Sequence, residues 1–302
     1  MSKIIILGVA GMLGHKLCQQ LASEGREVIG TLRGNAALAD RHPDVFGRTR
    51  LITGIDVLDW TVLRQLVERE RPAAVINCVG LVKQLETANN LRLAVGLNAY
   101  LPQVLEQICG GIGARLVHFS TDCVFSGERG RYREADLSDA KDIYGKSKFL
   151  GETAGAEGDA VTIRSSIIGR ELTRPTHGLV EWFLAQRGKT VSGYARAIYT
   201  GFSTREMARI VAMLLDRARP LRGTYNVASA PISKFDLLHI VRDAYGADTL
   251  ITPDEEFFCD RSLVMDRFTE ETGYVAPSWP DMVRDMAEDP TRYNNQEERI
   301  HA

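Results

Sequence analysis

The sequence predicts a doubly wound α/β fold built on a parallel sheet, and three observations carry that expectation. Short apolar runs alternate with longer segments of helical period through the first half of the chain. Several of these runs are almost continuously apolar, as strands are when helices cover both faces of a sheet. The first run ends in Gly8-x-x-Gly11-x-x-Gly14, a tight turn that opens the first helix. Strand, helix and strand in repetition call for right-handed crossovers and parallel pairing.

In chain order, Lys3–Leu7 is a strand of isoleucine and leucine, and Met12–Glu24 is the helix that follows the glycine turn. Glu27–Thr31 and Thr49–Thr53 are short runs of strand formers, and Trp60–Glu70 has helical period. Ala73–Val79 is the next strand, Leu93–Cys109 the next helix and Arg115–Ser120 a further strand. Helix Ile143–Ala154 and strand Ala160–Arg164 complete the alternation. Beyond about Ser165 the pattern loosens. Helices fall at Gly178–Gln186, Thr204–Arg217 and Ser233–Tyr245 and a strand at Thr224–Val227, interrupted by Pro, Gly and charge. The 302 residues suit two domains or one large α/β unit. We expect residues 1–165 to form a dinucleotide-binding domain and 166–302 a smaller α/β lobe for substrate, some segments returning to the first domain. The polar stretch Arg292–Ala302 is expected to fray.

Composition narrows the function classes. Hydrophobic residues make up 44% and charged residues 25%, which suits a globular chain with a large core. Basic and acidic residues, 37 against 39, give a net charge of −2 and no electrostatic support for nucleic-acid binding. The most apolar run, Ile4 to Gly14, is too short for a bilayer, and its glycines suit a turn better than a signal helix. The five cysteines, Cys18, Cys78, Cys109, Cys123 and Cys259, are odd in number and form no C-x-x-C pair. Neither a disulfide framework nor a metal site is indicated, and a reducing, cytoplasmic compartment is expected.

The glycine turn points to a dinucleotide. Glycines at Gly8, Gly11 and Gly14 let the backbone, including that of Met12 and Leu13, approach a pyrophosphate at the positive end of a helix. An NAD enzyme would carry Asp or Glu at the end of the second strand, yet the chain reads Ile29-Gly30-Thr31-Leu32-Arg33. Arg33 can pair with a 2′-phosphate, which favours NADPH, with NADH the alternative. Asp56 and Val57 are candidates for the adenine edge, and Val79-Gly80 lets the backbone pass close to the cofactor. Asn98, alone on the following helix, reads as solvated. Lys83 is a weaker cofactor candidate.

Tyr144 and Lys148, in Y-x-x-x-K, share one helix face. A nearby ammonium and the positive charge of the nicotinamide should lower the phenol pKa toward a useful range for proton transfer. The hydroxyls of Ser120 and Thr121 close an earlier strand, at the sheet edge where ligands of open α/β folds gather. A hydroxyl there can bond the same carbonyl oxygen that the tyrosine protonates.

With these motifs the chain resembles the extended short-chain dehydrogenase/reductases, a Rossmann-like superfamily, and within it the dTDP-4-dehydrorhamnose reductases and related sugar-nucleotide reductases. The matching stretches are Gly8–Gly14, Ser120–Gly127 and Tyr144–Glu152, and more loosely Arg261–Asp266. The resemblance implies that Thr121, Tyr144 and Lys148 are catalytic, with Tyr144 protonating the C4 oxygen as hydride reaches C4. Lys148 would also hold the nicotinamide ribose. Asp122, Cys123, His177 and Arg261 would lie on the substrate side, and a homodimer would pair through helices flanking the Tyr–Lys helix. Surface polysaccharide synthesis is the implied setting.

Two departures keep alternatives open. The rhamnose enzymes usually carry Tyr where this chain has Cys123, and 4,6-dehydratases carry a Glu base there, which argues against dehydration. GDP-L-fucose synthases place Cys at that position and use a His in the substrate lobe, so Cys123 and His177 could support epimerisation before reduction. A non-catalytic NADP(H)-binding regulatory subunit is the other class, although Thr121, Tyr144 and Lys148 are all present. Tyr194, Arg196, Tyr199 and Thr200 are lesser candidates for substrate contact, and His118 reads as a satisfied core histidine.

Overall fold

The computed structural model describes residues 2–81 and 90–293, so Lys83 lies outside the described residues. Seven parallel strands form the central sheet: β1 (Lys3–Leu7), β2 (Glu27–Thr31), β3 (Thr49–Ile52), β4 (Ala74–Asn77), β5 (Arg115–Phe119), β6 (Ala160–Arg164) and β10 (Gly223–Asn226). Their order is β10-β6-β5-β4-β1-β2-β3. The chain builds outward from β1 in one direction and then from β4 in the other. That leaves a crevice where the direction reverses, beyond the carboxyl ends of β1 and β4.

The alternation inside each strand explains why the sheet is covered on both faces. Ile4 and Ile6 pack into one core with Val28, Leu17 and Met207, while Ile5 and Leu7 pack into another with Ile29, Leu63 and Leu105. All six expected strands of the first half are present with ends shifted by no more than a residue or two. The helix expected at Leu93–Cys109 is instead three stretches: Leu91–Ala94, a π-helical Val95–Tyr100, and Leu101–Ile112. The helix Thr204–Asp216 packs on the first helix, Gly14–Ser23, so this segment and β10 return to the central sheet.

The remaining chain forms the lobe. Two long parallel strands, β8 (Thr190–Tyr199) and β12 (Leu250–Asp260), pair with each other, and the short β11 (Ile232–Ser233) runs antiparallel to β8. A second short pair, β7 (Ile167–Ile168) with β9 (Phe202–Ser203), ties the lobe to the sheet. Sequence patterning missed β8 and β12 because one of their faces meets solvent: Tyr194, Phe257 and Phe258 are exposed. The expected fraying at Arg292 is corrected at Tyr293, whose ring is buried against the first helix. Among the described residues no helix is long and apolar enough to cross a membrane.

Candidate functional site

The glycine loop sits at the crevice. Gly8 has φ +80°, and a Cβ there would meet Val79 Cγ2 at 2.9 Å. A Cβ on Gly14 would lie 2.3 Å from the Gly8 carbonyl oxygen, so only glycine lets the helix start this close to the strand. The N-terminus of helix Gly14–Ser23 has Leu13 at its cap and no side-chain hydrogen bond. The His15 N–H donates to the Gly11 carbonyl at 3.2 Å, and no side chain caps the N–H groups before it, where an anion could be met. This side-chain-free cradle fits a dinucleotide pyrophosphate. Arg33 stands exposed just beyond β2, where a 2′-phosphate would be read. Asp56 is exposed and accepts from Leu58 N at 2.9 Å, whereas the Val57 side chain is buried in the core.

After β4, Asn77 Oδ1 accepts from Val79 N at 3.1 Å and shapes the turn into Gly80. A Cβ on Gly80 would lie 3.2 Å from Asn98 Oδ1 and 3.5 Å from Lys148 Nζ. The two candidate regions, cofactor loop and Tyr–Lys helix, are thus neighbours.

Helix Ile143–Leu150 begins at Asp142, whose side chain accepts from Gly145 N at 2.7 Å. Lys148 is buried and its Nζ donates to the Phe119 carbonyl at 2.6 Å. Burial pulls its pKa down to about 8, against the opposing pull of Glu152 and Cys78. Thr121, at the end of β5, is buried; its Oγ1 donates to Asp122 at 3.1 Å and accepts from Cys123 N at 3.1 Å. Tyr144 hydrogen-bonds with the Thr121 side chain.

The protein groups around Tyr144 do not by themselves lower its pKa. Burial pushes the phenol up, Cys123, Asp122 and Asp142 add to the rise, and only Thr121 opposes it. The Lys148 ammonium is turned to the Phe119 carbonyl. A neutral, protonated phenol beside a second hydroxyl is an arrangement that can donate a proton to a carbonyl oxygen.

On the far side of the tyrosine lies the candidate substrate region. Asp122 is buried and Cys123 half-buried. Arg261 is fixed by the carbonyls of Phe125 (2.8 Å) and Ser126 (3.2 Å). Its burial disfavours charge, but Cys123, Cys259, Asp122 and Asp142 are near enough to favour it. His177 is half-buried; its backbone N–H and that of Gly178 donate to Glu171. A Cβ on Gly178 would lie 3.5 Å from Met12 Sδ, so this loop reaches over the glycine turn. Tyr199 is buried; burial pushes its phenol up, Asp122 and Cys123 add to the rise, and the Ser166 side chain opposes it. Tyr194 and Arg196 are exposed, while Thr200 is buried and accepts from Leu263 N.

Sequence reasoning missed three supporting groups. Asn98 is fully buried, not solvated: it accepts from Leu81 N at 2.9 Å and donates to Ser147 Oγ at 3.1 Å. The π-helical turn rotates it inward, which a regular helical period could not reveal. Glu152 accepts from Ser120 at 2.8 Å and holds Arg164 through both oxygens, at 2.7 and 2.6 Å. The signal was Glu152 itself, the closing residue of the Tyr144 motif. His118 is buried, with Nδ1 3.2 Å from Asn77 Nδ2, but its Nε2 has no hydrogen-bond partner among the described residues.

Comparison with known proteins agrees with this architecture. Over 317 residues the chain is 28% identical to the spore coat polysaccharide biosynthesis protein SpsK of Bacillus subtilis, covering 96% of this chain and 98% of that one. It is 32% identical over 154 residues to a dTDP-4-dehydrorhamnose reductase of Streptomyces griseus, a match spanning 51% of this chain and 44% of that protein. The crystal structure of Bacillus anthracis dTDP-4-dehydrorhamnose reductase in complex with NADP superposes with a TM-score of 0.76 at 22% identity, covering 95% of this chain and 98% of that one. Residues 2–287 match the model of the RmlD substrate binding domain, and the chain belongs to that family.

Proposed function

We propose that this chain is an NADPH-dependent reductase acting on the 4-keto group of a nucleotide-activated deoxysugar, in the making of polysaccharide precursors. The observation that carries the reading is the convergence of Thr121, Tyr144 and Lys148 beside Gly80 at the sheet's carboxyl edge. The dinucleotide would supply hydride to C4. Gly8, Gly11, Met12, Leu13 and Gly14 would hold its pyrophosphate, Arg33 its 2′-phosphate, and Asp56 would lie near its adenine, with NADH the alternative. Thr121 would donate to the carbonyl oxygen and Tyr144 would give it the proton. Lys148 would bind the ribose hydroxyls and balance charge. Asp122, Cys123 and Arg261 would face the sugar and diphosphate, with His177 above the glycine turn.

Cys123, half-buried beside Tyr144, favours one second reading, in which it and His177 exchange protons at the carbons flanking the ketone before reduction. One experiment separates the two. NADPH oxidation would be followed at about 340 nm with 4-keto-6-deoxy sugars carried on dTDP, UDP, GDP and CDP, and the products formed in deuterated water read by NMR. Turnover on one carrier with no ring deuterium at C3 or C5 supports simple reduction. Deuterium at C3 or C5 that is lost in Cys123→Ser supports epimerisation first. Tight NADPH binding with no turnover on any carrier would overturn both in favour of a regulatory subunit.

Pairing of two copies is part of the proposal. Leu91, Val95 and Tyr100 on one helical stretch and Phe149 and Leu150 on the Tyr–Lys helix packed beside it are exposed. Light scattering should give a dimer, and Leu150→Asp should shift it to monomer; a monomeric parent would end this part of the reading.

A further inference from the structure

The first turn of the helix behind the glycine loop carries two buried titratable groups that the proposed chemistry does not use, His15 and Lys16. Each is tied to the same distant segment, Asp289–Tyr293. His15 Nδ1 lies 3.0 Å from the carbonyl oxygen of Gly11, the middle glycine of the cradle. A carbonyl only accepts, so Nδ1 carries the proton and Nε2 is left as an acceptor. Nε2 lies 3.2 Å from the Tyr293 hydroxyl, which is also 3.2 Å from Asp289 Oδ2. Asp289 forms a buried ion pair with Lys16, and Lys16 donates to Thr291 Oγ1 and Gln19 Oε1, both at 2.7 Å. Arg170 stacks 4.6 Å over the Tyr293 ring, and Arg205 lies 3.5 Å from Asp289.

The result is a polar network that runs from a backbone atom of the cofactor loop to the segment Asp289–Tyr293, in which the single Tyr293 hydroxyl proton serves two acceptors, His15 Nε2 and Asp289 Oδ2. Burying an ion pair here for stability alone is inefficient, since apolar residues of similar volume would serve as well. Directional bonds have another consequence: together with the His15 N–H, which also donates to the Gly11 carbonyl at 3.2 Å, they hold that carbonyl and with it the peptide planes on either side.

We propose that the strap Asp289–Tyr293 is a positioning element for the dinucleotide, setting its affinity through His15 and the Gly11 carbonyl without touching the reacting atoms. This rests on the reading that the glycine loop holds a dinucleotide. Tyr293→Phe keeps the ring under Arg170 and removes only the hydroxyl. His15→Leu removes both of its hydrogen bonds, while His15→Asn keeps a donor near the position of Nδ1 and loses the link to Tyr293.

The test is NADPH dissociation constants by fluorescence, measured beside the urea midpoint of each cofactor-free variant. Tyr293→Phe should weaken NADPH by about 3- to 10-fold and His15→Leu by about 10-fold or more, the scale of one or two lost directional bonds. His15→Asn should bind better than His15→Leu. Tyr225→Phe, which loses a hydroxyl bond to Glu271 at the β10 edge, should lower the urea midpoint and leave NADPH affinity unchanged. A folded Tyr293→Phe or His15→Leu protein that binds NADPH as the parent does would overturn the proposal and leave the strap a purely structural feature. A parent protein that binds neither NADPH nor NADH would refute the cofactor reading itself and take this proposal with it.

Discussion

Gly145, between the proposed acid Tyr144 and Lys146, offers a direct test of how the site is assembled. A Cβ built on it would lie 2.2 Å from the Cys123 carbonyl oxygen, 2.8 Å from Ala140 Cβ and 3.2 Å from the Cys123 carbonyl carbon. The helix carrying Tyr144 therefore rests directly on the turn that carries Thr121 and Cys123. In Gly145→Ala the methyl needs ordinary contact distance, so the helix must recede by about 1 Å, because packed interiors have no slack to absorb it. The carbonyl is backbone and cannot rotate aside cheaply.

Two effects then oppose each other. Alanine favours a helix over glycine by roughly 0.5–1 kcal/mol, which taken alone would stabilise the chain. Displacing Tyr144 from Thr121 by about 1 Å should cost on the order of a hundredfold in turnover. The expected outcome is a folded protein that still binds NADPH through the glycine loop after β1, weakened only by what Lys148 on the displaced helix contributes to the ribose, but whose kcat is about a hundredfold lower. Stopped-flow NADPH oxidation with the preferred keto sugar nucleotide measures it. Parent-like kcat in a folded Gly145→Ala protein would refute the argument that this contact positions the acid.

Further outcomes follow from the same geometry. Tyr144→Phe should lose turnover by about two to four orders of magnitude while keeping NADPH affinity, the range for a lost general acid; near-parental activity would remove Tyr144 from that role. Gly14→Ala should abolish dinucleotide binding, because its Cβ would sit 2.3 Å from the Gly8 oxygen and 2.9 Å from Val9 Cα; equilibrium fluorescence titration reads the loss. Acid should destabilise the fold through His15, whose pKa burial pulls from 6.5 to about 3. Between those values the unfolded chain binds the proton and the folded one does not, so stability is intact above pH 6.5 and falls as pH drops, by about 1.4 kcal/mol per unit from this residue. Urea midpoints at pH 7 and 5 should therefore diverge less in His15→Leu than in the parent, and parallel shifts would exclude His15 as a source.

The sheet was legible because its residues answer to one strong constraint. Strands buried on both faces must be apolar throughout, and Ile4–Leu7 or Val75–Ile76 cannot be read otherwise. The lobe was not, because β8 and β12 bury only part of one face and place Tyr194, Phe257 and Phe258 in solvent. Their pairing depends on distant chain, which local patterning does not contain. The same division holds at the site. Gly8, Gly14 and the Tyr144–Lys148 pair were legible because backbone approach and helix spacing are local. Asn98 was not, because its orientation comes from a π-helical turn, and the strap was not, because a polar C-terminal stretch shows nothing of its partners His15 and Lys16.

The charges and burial around Tyr144 bear on how it handles its proton. An enzyme that oxidises an alcohol needs a phenolate to take a proton, and a raised phenol pKa would hinder it. A reductase needs the proton in place before hydride arrives. Burial, with Cys123, Asp122 and Asp142 around it, keeps Tyr144 protonated at neutral pH. The raised pKa makes it a weaker acid, and Thr121 can stabilise the developing oxyanion as it forms. Lys148, with its pKa near 8, remains largely cationic at pH 7 and can offset the phenolate charge left behind. Burial makes the phenol hold its proton more tightly, so Thr121 and Lys148 are the groups that must favour the transfer in whichever direction the reaction runs.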